Sequence, residues 1–414
     1  MTTDPLEKSL RNRAAAVIPG GMYGHMTRVL LSEDHPQYVT EAHGCRFTGA
    51  DGREYLDLMC GWGPVVLGYA HPAVRRAADE QTRLGDCVNG AAPVMVELAE
   101  LLVDTVPSAD WAMFAKNGTD ATTTCVTIAR AATGRRKVLT AHGAYHGAVP
   151  WCTPGKSGVT VEDRAHVDHF EYNDIASLGA AVDRAGGDLA AIVVCPFRHD
   201  VRRDQELADP EFARAVRALC NRTGAAMVLD DVRCGFRLSL GGSWEPLGVR
   251  PDLAAWSKAM ANGYALAAVT GIATLRDAAS DVYVTGSFWY SAVSMAASVA
   301  TLTELRETDA LVRMDRAGQR LRDGLDAQAK RHGLEVNQTG PVQMPLLTFA
   351  GDPEFTVATR WAREAVRRGV YLHPTHNWFL SAAHTESDID EILDRTEDAF
   401  AAIARSAGGG LSPN

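Results

Sequence analysis

LDDVRCGFR (residues 229–237) sets two aspartates, Asp230 and Asp231, at the end of the apolar run 225–229. An apolar run of this length ahead of a polar pair reads as a buried strand. A carboxylate at the inner end of such a strand is costly unless a cation meets it. The next apolar run, PDLAAWSKAM (251–260), supplies a cation in the same way: Lys258 stands just past LAAW, 28 positions after Asp230. Strand alternation turns Asp231 away from Asp230, so only one of the two carboxylates can share a cleft with that lysine.

Working outward, the middle of the chain alternates strand and helix. PVMVELAELLVDTV has helical spacing; WAMFAKNGTDATTTCVTIARAATG is a strand, a glycine turn and a helix stopped at Gly134; RKVLTAHGAYHG is a strand entering a loop; LAAIVVCPF is an apolar strand; DPEFARAVRALCNRTG is a helix stopped at Gly224. Such alternation predicts an α/β fold, a mostly parallel sheet with helices on both faces, whose ligands lie beyond the carboxyl ends of the strands. Before it, GCRFTGADGREYLDLMCGW reads as two short strands around GADG. From Ser291 the pattern is helical, followed by an α+β segment containing PLLTF, FTVATRWAREAVRRG, VYLHP and ESDIDEILDRTEDAFAAI. The expected organisation is an N-terminal segment (1–64) joining a C-terminal small domain (306–405), a large domain between them (65–305), and a disordered tail, SAGGGLSPN (406–414).

With 414 residues, 46% of them hydrophobic, the chain has ample material for two domains. A net charge of −10 without a basic run argues against nonspecific nucleic-acid binding. No apolar run approaches the ~20 residues of a membrane span, and the first residues lack the apolar core of a signal peptide. Eight cysteines with no CxxC pair suit reduced thiols and a cytoplasmic location.

Three motifs carry chemistry. NGTDA (117–121), between strand and helix, can present N–H groups and a hydroxyl to an anion; it also suits an ordinary helix cap at Thr119 or Asp120. In AHGAYHGA (141–148), His142 and His146 are four apart, but the loop glycines break the helix that would aim both at one ion, and no HExxH carboxylate accompanies them. No metal is expected there; an aromatic–histidine pair lining a cavity is. Asp230 and Lys258 make either a buried salt bridge or a Schiff-base lysine with an aspartate for a pyridinium nitrogen, the pair pyridoxal phosphate requires.

NGTDA, GAYHGA, LDDVRCGFR and PDLAAWSKAMANGYALAAVTG, in this order and spacing, resemble the class III pyridoxal-phosphate aminotransferases. VIPGG (17–21), GWGPVVLGYAHP (61–72), GVYLHP (369–374) and LSAAHTESDID (380–390) extend the similarity over nearly the whole chain, toward the glutamate-1-semialdehyde 2,1-aminomutase branch. The resemblance implies a fold-type-I pyridoxal-phosphate enzyme: a large domain with a mixed, mostly parallel seven-stranded sheet and a smaller α+β domain. It implies that Lys258 forms the internal aldimine and shuttles protons and that Asp230 pairs with the pyridine nitrogen. Tyr145, followed by His146, stacks on one ring face, Val232 packs on the other, and Gly118 and Thr119 hold the phosphate. Ser287, in TGSFW, stands where the family has a threonine that reaches the phosphate from the neighbouring subunit; hence a homodimer with shared active sites.

The pattern departs from the aminomutases at PGGMYGHMTR (19–28), where Gly24 and Thr27 occupy the serine and arginine positions that hold a substrate carboxylate and Arg28 lies one step along. HPTHNWFLS (373–381) lacks that branch's acidic residue. Tyr23, His25, Trp62, Trp289, Tyr290, His376 and Asn377, with Trp378, replace them. These suit a hydroxylated amine such as an amino sugar, as in the aminoglycoside 6′-aminotransferases of antibiotic biosynthesis, or the packing of a dimer. The expected reaction moves an amino group between an amine and a carbonyl compound. Its rivals are an internal amino shift, an epimerisation using Lys258 with a thiol (Cys234 or Cys60), and a cofactor-free scaffold, which the presence of Lys258 and Asp230 opposes.

Overall fold

The structure, a computed structural model, describes residues 5–27 and 31–408. Arg28 and most of the expected tail lie outside the described residues. Two compact units emerge: 72–200 with 206–311, and 1–71 with 201–205 and 312–414.

The larger unit is built on seven strands: Trp111–Ala115, Lys137–Ala141, Val167–Phe170, Leu189–Val194, Ala226–Asp230, Leu253–Trp256 and Ala267–Gly271. In the order first, seventh, sixth, fifth, fourth, second, third they form one sheet. Ala267–Gly271 alone runs against the direction of the other six. Its direction follows from its connection: parallel neighbours need a long crossover, whereas residues 257–266 reverse the chain in one short turn, closed by the Ser257 hydroxyl donating to Leu266 O at 2.7 Å. That strand and Val167–Phe170 are not marked by a polar–apolar boundary in the sequence, and the strand-by-strand reading passes over both.

Helix Gly118–Thr133 lays Ala121, Cys125, Ile128 and Ala129 on Val138, Val193, Val228 and Leu253. These side chains are essentially fully buried, each valine, leucine or isoleucine contributing about 1.5–3 kcal/mol relative to exposure. Gly134 ends the helix at φ +64°, a left-handed cap that suits glycine.

The smaller unit holds the antiparallel strands Val39–His43, Arg46–Gly49 and Glu54–Asp57, the last paired in parallel with Val370–Tyr371. Helices Thr356–Arg367 and Glu386–Gly408 contribute Trp361, Ile389 and Phe400 to a core with Leu56, Leu58 and Trp378. The last helix continues three residues into the stretch expected to be disordered. After Glu54–Asp57 the backbone makes a left-handed turn, with Cys60, Gly61, Trp62 and Gly63 all at positive φ. The Asp57 carboxylate holds it, accepting from Met59 N at 2.7 Å, Cys60 N at 3.0 Å and the Tyr69 hydroxyl at 2.7 Å.

Candidate active site

The carboxyl ends of the parallel strands converge on a cavity of about 220 Å³ in the larger unit. Gly118, Thr119, Tyr145, His146, Asp230, Val232 and Lys258 all line it. All seven residues expected to meet a cofactor within one chain therefore share one space. His199, Arg233, Thr122 and Asn117 also line it.

At the helix end, the cap is Asn117 rather than Thr119 or Asp120. Its side chain accepts from Asp120 N while the Asp120 carboxylate accepts from Asn117 N. Thr119 Oγ1 accepts from Ala148 N at 3.2 Å. This reciprocal cap uses the N–H groups of Asn117 and Asp120 and leaves those of Gly118 and Thr119 for an anion. Gly118 is required by packing: a Cβ there would lie 2.5 Å from Val232 Cγ1.

Asp230, buried at 6% exposure, is held from two sides. His146 Nδ1 lies 2.7 Å from Oδ2, and Val232 N donates to Oδ1 at 3.2 Å. His146 is itself anchored by Thr122 Oγ1 donating to its carbonyl at 2.6 Å. Its Nε2 is buried without a protein partner. Asp231 does turn away: it accepts from Ser243 N at 2.8 Å and from the Ser243 hydroxyl. Burial there raises its carboxyl to about 6.

Lys258 follows strand Leu253–Trp256 at φ +47°, a conformation L-residues adopt only at a cost of order 1–3 kcal/mol. Burial, then the charge of Arg233, lower its amine to about 7, against the opposing pull of Asp230 and Cys234. His199, next to it in the cavity, is held neutral by burial and then by Arg233 and Lys258. Burial raises the Tyr145 hydroxyl.

His142 is absent from the cavity; it lies on the surface against His169, ring centroids 4.8 Å apart. Among the described residues, one trio of metal-type ligands, His146, Cys195 and Asp230, lies within 4.8 Å. Burial and Asp230 push the Cys195 thiol well above its usual range, so it is a poor thiolate donor. Cys234 is fully buried and likewise pushed well up, first by burial and then by Asp231. It does not line the cavity. Cys60 is buried too, and its thiol donates to Phe379 O at 3.2 Å.

The expected substrate residues divide between the units. In the smaller one, Trp62 stands edge-on to His25 (ring centroids 4.8 Å), His376 (4.9 Å) and His373 (5.4 Å), and its indole N–H donates to Met26 Sδ at 3.1 Å. Tyr23 is exposed beside this group. Asn377 turns inward, donating to Trp378 O at 2.8 Å. In the larger unit, Trp289 packs at the edge of the sheet core, while Ser287 and Tyr290 are exposed.

Sequence reasoning missed Arg233, His199, Cys195 and His373. Arg233 and Cys195 sit at strand ends beside residues that were read. His199 follows a strand by five positions, in RHD, where a polar cluster past an apolar run was the available signal.

A strand-end lysine, a buried aspartate with a histidine behind it, and a helix N-terminus freed by its own cap fit a pyridoxal-phosphate site. The orphaned His146 Nε2 and the Gly118 and Thr119 N–H groups that the cap does not use agree with an aromatic phosphate as the resident group. Residues 31–400 match the family model "Aminotransferase class-III", and the chain belongs to that family. It is 51% identical to the aminopentol aminotransferase of Sphingopyxis macrogoltabida over 98% of this chain and 96% of that protein. It is 30% identical to the glutamate-1-semialdehyde 2,1-aminomutase of Desulforamulus reducens over 95% and 97% of the two chains. Its fold superimposes with a TM-score of 0.97 on the pyridoxal-phosphate internal aldimine form of FumI from Sphingopyxis sp. MTA144, at 51% identity and covering 99% and 98% of the chains. The protein is thus a pyridoxal-phosphate-dependent aminotransferase. No helix among the described residues is long and apolar enough to cross a membrane.

Proposed function

We propose that this enzyme moves the amino group of a polyhydroxylated, carboxylate-free amine to a 2-oxo acid, with Lys258 and Asp230 as its catalytic residues. The observation that carries the substrate class is the end-to-end 51% identity to an aminopentol aminotransferase. Gly24 and Thr27, at the positions of the aminomutase carboxylate clamp, support it: the short turn Gly24–Met26 holds neither a serine nor an arginine.

Pyridoxal phosphate supplies the electron sink that makes the C–H bond beside the amine acidic. Lys258, its amine lowered to about 7 by burial, takes that proton on Nζ and returns it. Asp230 would hold the pyridine nitrogen in its protonated form, and the His146 contact fixes the orientation of its carboxylate. Gly118 and Thr119 would bind the phosphate, Tyr145 and Val232 the two ring faces. The exposed aromatics Tyr283, Phe288 and Tyr290 around Ser287 support a homodimer in which Ser287 completes the partner's phosphate site. Eight free cysteines support a cytoplasmic location.

Product mass spectrometry tests the reading. Aminopentol with pyruvate should yield the keto product and alanine; conversion of glutamate-1-semialdehyde alone would replace transfer by an internal shift.

A further inference from the structure

His199 lines the cavity, yet neither the cofactor's contacts nor the proton transfer at Lys258 gives it a task. Strand Leu189–Val194 runs on through Cys195 and Pro196 into a short hairpin, Phe197–Arg198 against Glu206–Leu207. Arg198 Nη1 and Glu206 Oε2, 2.6 Å apart, close its base. Asn173 Nδ2 donates to Glu206 Oε1 at 2.9 Å and to Leu207 O at 2.8 Å. His199 is the first residue beyond that base. It is buried, and its ring stands edge-on to the buried Phe197, centroids 5.3 Å apart. A short ladder and a packed ring therefore fix the imidazole in the cavity wall.

A hydroxyl brought into this space needs an acceptor for its proton. The side-chain acceptors around it are largely committed. Asp230 is held by His146 and Val232 N, Asn117 Oδ1 accepts from Asp120 N, and Thr119 Oγ1 accepts from Ala148 N. The contacts of the His199 ring are Phe197 and the residue's own carbonyl. A neutral imidazole that gives its one N–H to a carbonyl keeps the other nitrogen bare, as an acceptor. An ordinary histidine is neutral above about pH 6.5, and burial moves His199 further in that direction. Arg233, also in the lining, carries donors only.

The cavity's volume, about 220 Å³, lies below the roughly 300–1,000 Å³ of sites that enclose a whole drug-sized ligand. Beside a cofactor it has room for the reacting end of an amine and not for a pentol. A side chain in its wall meets only the hydroxyl nearest the amine. We propose that His199 is a specificity-determining residue: its ring nitrogen accepts from a hydroxyl on the carbon next to the amine, so the substrate class is the 2-amino alcohols. The proposal rests on the substrate being a hydroxylated amine, as inferred above.

The test compares two small amines that differ by that one hydroxyl, 3-amino-2-butanol and 2-aminobutane. Each is given to the holoenzyme with pyruvate, and kcat/KM is read from the alanine formed. The wild type should favour the amino alcohol by about tenfold or more. His199→Phe keeps a ring against Phe197 and has no nitrogen. It should lose about tenfold on the amino alcohol and stay within about threefold on 2-aminobutane. Equal losses on both amines, or an unchanged preference, overturn the proposal. Should His199→Phe not fold, a wild type that converts both amines equally well overturns it alone. Conversion of aminopentol with neither small amine converted places recognition beyond the reach of His199 and overturns it too. Conversion of none of the three instead removes the hydroxylated amine as substrate, and with it the reading on which the proposal rests.

Discussion

The cavity of the larger unit and the Trp62 cluster of the smaller one both gather histidines beside an aromatic ring, yet they are built differently. In the cavity, Asp230, Lys258 and the Asn117–Thr119 cap hang from the ends of regular strands or the start of a regular helix, and His146, on a loop, is tied to them through Asp230 and Thr122. Their positions are over-determined by backbone ladders. Trp62, His25, His373 and His376 come instead from turns and irregular segments, one of them left-handed. Chemistry shared by a family belongs on the first kind of frame; choice of substrate belongs on the second, where a local change need not disturb the sheet.

The contrast breaks most visibly by substitution at strand ends. Lys258→Ala should lower turnover by about 10³-fold or more while the protein stays folded; normal turnover would remove the site. Asp230→Asn should cost about 10²–10³-fold, because the ring nitrogen loses its counter-charge. His146→Ala should cost less than Asp230→Asn, since it removes only the orienting partner; steady-state rates rank the three.

Gly118→Ala should destabilise by about 1–3 kcal/mol and weaken cofactor retention, as its Cβ would drive into Val232. Urea denaturation with and without pyridoxal phosphate separates the two effects. In the other region, Trp62→Ala should raise KM for the amine by about tenfold or less and leave kcat within a few-fold. A collapse of kcat as deep as that of Lys258→Ala would erase the distinction between the regions.

A further effect is one of pH. Asp57 and Asp231 both have their carboxyls raised from 3.8 to about 6 by burial. The folded state thus binds their protons more tightly than the unfolded state. Their contribution favours folding below pH 4 and is lost as pH rises through 6, on the order of 3 kcal/mol each at most. Asp231→Asn should flatten the fall in unfolding free energy between pH 4 and 6.

Most of the cofactor frame was legible because each of its residues sits at a boundary the sequence marks, where an apolar run stops at a charge or a glycine. Asp230, Lys258 and Gly118 are of this kind. The antiparallel direction of Ala267–Gly271 was not, because it depends on a ten-residue connection whose turn is set by the positive φ of Lys258 and Asn262. His142 and His146 are identical in sequence terms and differ only in which way a loop turns them. Arg233 was visible but mute: its place in the cavity lining is set by tertiary packing, which no local pattern shows. His373 joins Trp62 across some three hundred residues of chain, a distance no local pattern spans.

The turn at Cys60–Gly63 has a consequence in chirality. Four consecutive residues occupy the backbone region that a mirror-image amino acid prefers. At Gly61 and Gly63 a D-alanine, introduced by chemical ligation, should fit and stiffen the turn, whereas L-alanine at Gly63 meets Phe379 at 2.8 Å. The indole of Trp62 is thus presented by a piece of backbone whose handedness is opposite to that of the helices around it.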